Sequence, residues 1–436
     1  MSPTRPWGVQ FMDVSANAAV SDARRVVFGV YRDGDNNLDA VQERNVTDFV
    51  RETRSNPALK VVAEDTTSVP RAPFRNGELR TEWSTIQGGA QHVVRIESAR
   101  DMSSRATLAA FVDRTLESRA ADPTFKRADV WLDLVDHGAG DGGGLESDSH
   151  GGACMPMEDI AGAIADGRAQ FLKKHPGGDA SVTGVLANQC LMATLGFADA
   201  LSQVGVRYLA ASPETMIAPG APSAKIADAL TSGGDWASAV VDTTMKARYG
   251  SASSMYHPAA AFDVLDLAPE KVADVRTAVA SFNDSVVALR HTKGGPDLLH
   301  DIRSDIRAVP GMARFDHTSD MVYHADRPAE AVYAKIGTDT RLSSTVRSAA
   351  LRAQKAVDAI VLAHGEYAWS APMNASYADA AGPTAHIPLS PDQYDPWSSN
   401  GISETNNSFF NAVHGREFAR TIGSYNAADD RVALVA

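Results

Sequence analysis

Two short apolar runs that end in reactive side chains constrain this chain more than any other feature. Val130-Trp131-Leu132-Asp133-Leu134-Val135 leads into Asp136-His137-Gly138, and the run from Val182 to Ala187 leads into Asn188-Gln189-Cys190. Each has the length and apolar content of a buried strand. The same alternation continues around them. Val26 to Tyr31 reads as a strand, followed by the turn Asp33-Gly34-Asp35-Asn36-Asn37 and a helix from about Leu38 to Arg54. Leu59 to Ala63 is the next strand, and Leu79 to Ile86 pairs with Gln91 to Ile96 through Gln87-Gly88-Gly89. Helices are expected near Ser104 to Ala120, Met157 to Lys174 and Leu191 to Val204, with a strand from Val206 to Ala211. Such repetition specifies an α/β fold, a mostly parallel sheet sandwiched by helices. Reactive groups in these sheets lie past the carboxyl ends of the strands, where His137 and Cys190 both fall.

The second half is less regular. Asp235 to Tyr249, Ala268 to His291 and Ser343 to Leu362 read as helices and Ala259 to Val264 as a further strand, which implies a helix-rich C-terminal extension. The expected organisation is an N-terminal tail over 1–23, a core over 24–262 and a C-terminal subdomain over 263–436 packed on that core. Ser370 to Asn407, rich in Pro, Asn, Ser and Tyr, reads as loop or cover. There is no internal repeat.

A thiol and an imidazole at neighbouring strand ends can act as a unit. The imidazole generates the thiolate that attacks and later protonates the leaving group. Taken singly, a His at a polar strand end and a lone Cys are more often structural; their matching positions join them. Cys190 lies 53 positions after His137 (190 − 137), close to the caspase-type spacing of about 50. Asp136 points to the opposite face of an extended strand from His137, so it reads as a solvated or loop-capping carboxylate. Cys154, in a Gly-rich stretch, reads as a small buried hydrophobe.

Composition removes alternatives. With 41 Lys and Arg against 54 Asp and Glu, a net charge of −13 disfavours nucleic acid and anionic membranes as partners. Two cysteines cannot build a disulfide scaffold. No run approaches the roughly 18 apolar residues of a membrane span, and Met1 to Ala23 has no apolar signal core. A cytoplasmic protein is expected, with secretion by a route not visible in the sequence as the alternative. The oligomeric state is left open.

Two other motifs fail on context. Asp33, Asp35 and Asn37 alternate as in a calcium loop, but Leu38 replaces the sixth-position Gly and Arg44 the twelfth-position Glu. A helix-starting turn fits better. Gly138-Ala139-Gly140-Asp141-Gly142-Gly143 satisfies the dinucleotide fingerprint, yet Leu145 to Gly152 reads as polar loop where a helix must open to meet a pyrophosphate. The other histidines considered, His150, His175, His257, His291, His300, His317, His324, His364 and His386, show no metal-ligand spacing. They read mostly as solvated surface, His300 and Asp301 as exposed loop. No metal site is expected.

The segments Tyr31 to Leu38, Asp136-His137-Gly138 and Asn188-Gln189-Cys190-Leu191-Met192 resemble the clostripain family of cysteine peptidases, which share the caspase-like fold with caspases, gingipains and legumains. Ala211-Ser212-Pro213-Glu214, Ala261-Phe262-Asp263 and Ser319 to Tyr323 add to the likeness. The resemblance implies an endopeptidase acting on protein or peptide substrates through a thioester, with His137 as base and acid and Cys190 as nucleophile. It also implies an oxyanion hole from the backbone N–H groups of Gly138 and Cys190; an amide without a neighbouring Cβ can approach an oxyanion closely. No cofactor is required, although Ca²⁺ stays open because members of that family can depend on it. The alternative is a catalytically silent caspase-like scaffold that binds peptides.

One departure concerns what is cut. Clostripain-like enzymes typically carry Asp two residues before the nucleophile, pairing with a substrate Arg or Lys; here that residue is Asn188. A neutral amide gives a guanidinium no counter-charge, though Glu214 is a second candidate for the same pocket. No Lys or Arg occurs between Arg127 and Arg168, so self-cleavage after a basic residue in 138–167 is not expected. The expectation is a relaxed or non-basic preference.

Overall fold

A computed structural model of the chain describes residues 24–39, 44–69, 78–147, 153–248, 261–309, 311, 313–315, 321–323, 326–366, 382–389 and 408–423. The tail over 1–23, most of 370–407, Ser319, Asp320, His150, His257, His317 and His324 lie outside them. The strands are β1 (Val26–Asp33), β2 (Leu59–Val69), β3 (Glu78–Gln87), β4 (Ala90–Ser98), β5 (Asp129–Val135), β6 (Gly144–Ser147), β7 (Ala153–Met155), β8 (Gly184–Asn188) and β9 (Tyr208–Ala211). The second half adds β10 (Ala261–Asp266), β11 (Ala313–Phe315), β12 (Met321–Tyr323), β13 (Asp326–Pro328), β14 (Val361–Glu366) and β15 (Thr384–His386).

Nine strands form one sheet in the order β14-β10-β9-β8-β5-β1-β2-β3-β4. Its centre, β9-β8-β5-β1-β2, is parallel, and antiparallel strands flank it on both sides. The central runs are apolar throughout because each supplies two cores. Val27, Tyr31, Leu132, Leu134 and Val185 pack under α2 (Arg105–Ala121), α3 (Met157–Lys174) and α4 (Leu195–Gln203). Val26, Phe28, Trp131, Val135 and Leu186 pack under α1 (Arg44–Ser55), α5 (Ser223–Thr231) and α6 (Trp236–Lys246). This is the expected α/β sandwich.

The second half builds a third core from α7 (Pro269–Val287), α8 (Gly295–Arg307), α9 (Ala329–Thr338) and α10 (Ser344–Asp358). Two short helices, α11 (Ser408–Ala412) and α12 (Gly415–Gly423), pack on it through Phe409 and Phe418. Four expectations change. The helix expected to Leu362 stops at Asp358, because Val361–Glu366 finds backbone partners along β10 and joins the sheet. The division drawn between 262 and 263 falls inside β10. His300 and Asp301 lie on α8, not in a loop; Gly294 turns the chain with φ 77° and Pro296 opens the first turn. The segment after Gly143 also pairs as the hairpin β6–β7, where continuous loop was expected.

Burial at the centre of the sheet has an electrostatic consequence. Asp133 on β5 is fully buried, and burial pushes its carboxyl up to about 7, against a weaker opposing effect of Ser223. In the unfolded chain it titrates near about 4. The folded state therefore holds a proton that the unfolded state has lost, and the stability this supplies, complete below about 4, is gone above about 7. Asp133→Asn removes the titration. Its stability relative to wild type should rise by up to about 3 kcal/mol between pH 4.5 and 8; the same difference in urea unfolding at both pH values would contradict this.

Candidate active site

Parallel pairing of β5 with β8 sets Val135 opposite Asn188. The next residues, Asp136-His137-Gly138 and Gln189-Cys190, therefore leave the sheet side by side. Gln189 Nε2 donates to the His137 carbonyl at 2.9 Å. A Cβ on Gly138 would overlap the Cys190 carbonyl oxygen, 2.8 Å from Gln189 Cβ and 3.1 Å from Cys190 N, so only glycine lets the two backbones meet. After Cys190 the chain turns through Leu191 at φ 66°, a strained conformation for a branched side chain. Leu191 N to Glu214 O at 3.1 Å and Ala193 N to Ser212 O at 3.0 Å hold it there.

The turn after β1 reaches the same place. His137 Nε2 lies 2.7 Å from Asn37 Oδ1, and the preceding pair is also joined, Asn36 Nδ2 donating to Asp136 Oδ1 at 2.5 Å and to Glu146 O at 2.9 Å. Asp136 is buried, not solvated, and caps its loop, accepting backbone hydrogen bonds from His137 and Glu146 beside the one from Asn36. Burial, then the nearby Asp33, raises its carboxyl well above the usual range. Asp33 is itself pushed up to about 7 by burial, despite accepting from Ser147 Oγ at 2.7 Å and Asp35 N at 2.8 Å. The turn thus spends oxygens on internal bonds. Among the described residues no group of three or more His, Cys, Asp or Glu is arranged to hold a metal ion.

Cys190 is half-buried, and its thiol is bonded to a neighbouring loop. Cys190 Sγ accepts from Met216 N at 3.2 Å and lies 3.6 Å from Met216 O, and burial pushes it up to about 11. The Met216 amide works against that rise; Glu214 and Asp136 add to it. Its hydrogen bonds thus run to Met216 and not to His137. Cys154 is partly buried on β7, 3.3 Å from Gly144 O, its thiol well above the ordinary range through burial.

The two pocket candidates are turned inward. Asn188 donates to Ala221 O at 3.1 Å and Ser223 Oγ at 2.9 Å and accepts from Ala221 N at 2.7 Å, which uses its whole amide on the segment before α5. Glu214 is fully buried and accepts from Thr215 N at 3.3 Å. None of the contacts made by Asn37, Gln189 and Met216 was expected from sequence, where Asn37 was weighed as a calcium-loop position, Gln189 stood only within the Cys190 motif and Met216 carried no signal. Two histidines read as solvated are instead paired: His364 with Asp263 at 2.6 Å and the buried His386 with Asp326 at 2.9 Å.

No family model matches the chain, and no curated protein does. Solved structures do. A secreted C11 cysteine protease from Bacteroides thetaiotaomicron is 13% identical, with 90% of this chain and 100% of that one covered and a TM-score of 0.59. A secreted C11 cysteine protease from the same organism, bound to an irreversible peptide inhibitor, is 12% identical, covering 90% and 99%, TM-score 0.59. An inactive zymogen C11 protease from Parabacteroides distasonis is 16% identical, covering 91% and 99%, TM-score 0.56. The fold is that of the C11, clostripain-family, cysteine proteases. Against that C11 fold, the contact between the two strand-end loops is the feature to test. Gly138→Ala should force them apart and cost about 1–3 kcal/mol; an unchanged urea midpoint would mean that the loops do not touch in solution.

Proposed function

We propose that the chain is a cysteine endopeptidase of the clostripain type, with Cys190 as nucleophile and His137 as base and acid. The supporting observation is the meeting of the Gly138 and Cys190 backbones at the carboxyl ends of β5 and β8, in a fold shared with C11 proteases. Cys190 Sγ attacks the scissile carbonyl, the Gly138 and Cys190 amides receive the oxyanion, and His137 protonates the departing amine. Water activated by His137 then releases the acyl group. The proposed reaction requires no cofactor and leaves a place for Ca²⁺ open. Two of the solved neighbours are described as secreted, which favours export over a cytoplasmic location.

A thiol pushed up to about 11 and bonded to Met216 is what a silent scaffold would also display. Alkylation separates the readings: in an active enzyme Cys190 reacts with iodoacetamide far faster than Cys154. Cys190→Ala or His137→Ala should lower turnover of a mixed peptide library by at least about a thousandfold with the fold intact, and Cys154→Ala should be near neutral. Full activity in Cys190→Ala would end the mechanism.

For specificity we propose a relaxed or non-basic preference at the residue before the cut. Asn188 is neutral, and its amide is committed to Ala221 and Ser223. Asn188→Asp should raise cleavage after Arg or Lys and lower the melting temperature, because a carboxylate cannot donate to Ala221 O. Strong, exclusive cleavage after Arg or Lys by the wild type would overturn the proposal.

A further inference from the structure

We infer that Asn37 is a positioning residue that fixes which nitrogen of His137 handles the proton. The inference rests on the Cys190–His137 reading above. An amide oxygen accepts and cannot donate. With Asn37 Oδ1 at 2.7 Å, His137 Nε2 carries the hydrogen in the neutral ring, and the lone pair that takes up a proton is on Nδ1. In the proposed reaction the S–H bond of Cys190 breaks as the Nδ1–H bond forms, giving thiolate and imidazolium. Nε2–H stays on Asn37 throughout, and Nδ1–H later goes to the leaving amine.

Asn37 can serve in this way because its turn is held on every side. Asp33 Oδ1 accepts from Asp35 N at 2.8 Å and Asn36 Oδ1 from Leu38 N at 2.9 Å. Thr67 Oγ1 donates to Asp39 at 2.8 Å, and a Cβ on Gly34 would overlap Thr66 O. The bonds Asn36–Asp136 and Asn37–His137 are successive rungs between the two loops, the first buried and the second at the surface. The buried rung sets the register and the outer one aims the ring. A neutral amide orients the imidazole without adding charge to a site where Asp136 and Glu214 already oppose a thiolate.

The test uses the full chain and its Asn37→Ala and Asn37→Asp variants. Asn37 is exposed, so neither substitution disturbs a core. Long-range proton–nitrogen spectra, with His137→Ala to assign the ring, should show neutral His137 protonated on Nε2 in the wild type and a mixture of tautomers in Asn37→Ala. In peptide cleavage Asn37→Ala should lose about 10- to 100-fold in kcat with little change in KM. Asn37→Asp should retain more activity and move the acid limb of the pH profile upward, since a carboxylate favours the imidazolium. Neutral His137 protonated on Nδ1, or an unchanged kcat in Asn37→Ala, would overturn the inference. Absence of cleavage by the wild type would instead sink the peptidase reading, and the spectra, which need no turnover, still decide the role of Asn37.

Discussion

The parallel pairing of β5 with β8 is the constraint on which the rest of the site depends. A shift by one residue would turn Asn188 from the α5 side of the sheet to the other and separate Gln189 from the His137 carbonyl. Two adjacent cores hold that register. Trp131, Val135 and Leu186 fill one and Leu132, Leu134 and Val185 the other, so a slipped strand exchanges both sets at once. The loop beyond β8 is anchored in its turn by Leu191, Met192 and Ala193, all buried, so its position rests on the strands and on these side chains together.

The carboxyl end of this sheet is rich in buried acid. Asp33, Asp133 and Asp141 are each pushed up to about 7 and Glu64 to about 8, chiefly by burial. Ionising any of them costs stability. The Cys190 thiol is raised to about 11 chiefly by burial, with the charges of Glu214 and Asp136 adding to the rise. A neutral thiol behind Met216 is therefore the resting form that this environment favours. In the proposed dyad an imidazolium on His137 would supply the charge that reverses it, and the ionisation would belong to the pair and not to Cys190 alone.

The sheet was legible in the sequence because its central strands are continuous apolar runs bounded by polar turns, and so was the placing of His137 and Cys190 just past the ends of β5 and β8. The antiparallel addition of Val361–Glu366 was not legible, since Val357 and Ile360 extend the helical stripe of α10 and only tertiary pairing with β10 stops it. Asn188 and Glu214 were legible as polar residues near a thiol, but not the direction in which they face. Whether an amide meets a substrate or a neighbouring loop depends on Ala221 and Ser223, more than thirty positions away. Of the two readings of Asp136, loop-capping holds and solvation does not, because the turn that buries it is a hundred residues upstream.

The second half is fastened to the loops that follow both β5 and β8. Thr384 N donates to Ala193 O at 2.9 Å, just past Cys190, and Asp326 approaches Gly140, just past His137. Between these points Thr194 Oγ1 donates to Asp141 at 2.5 Å, and the buried His386 faces Asp326. Asp141 is held near neutrality by burial and by Asp326, with His386 pulling the other way. The segments after His137 and after Cys190 thus share one buried polar cluster whose far side belongs to β13 and β15. Movement of that cluster would displace both loops together, so the spacing between imidazole and thiol is set by the sheet from below and by the second half from above.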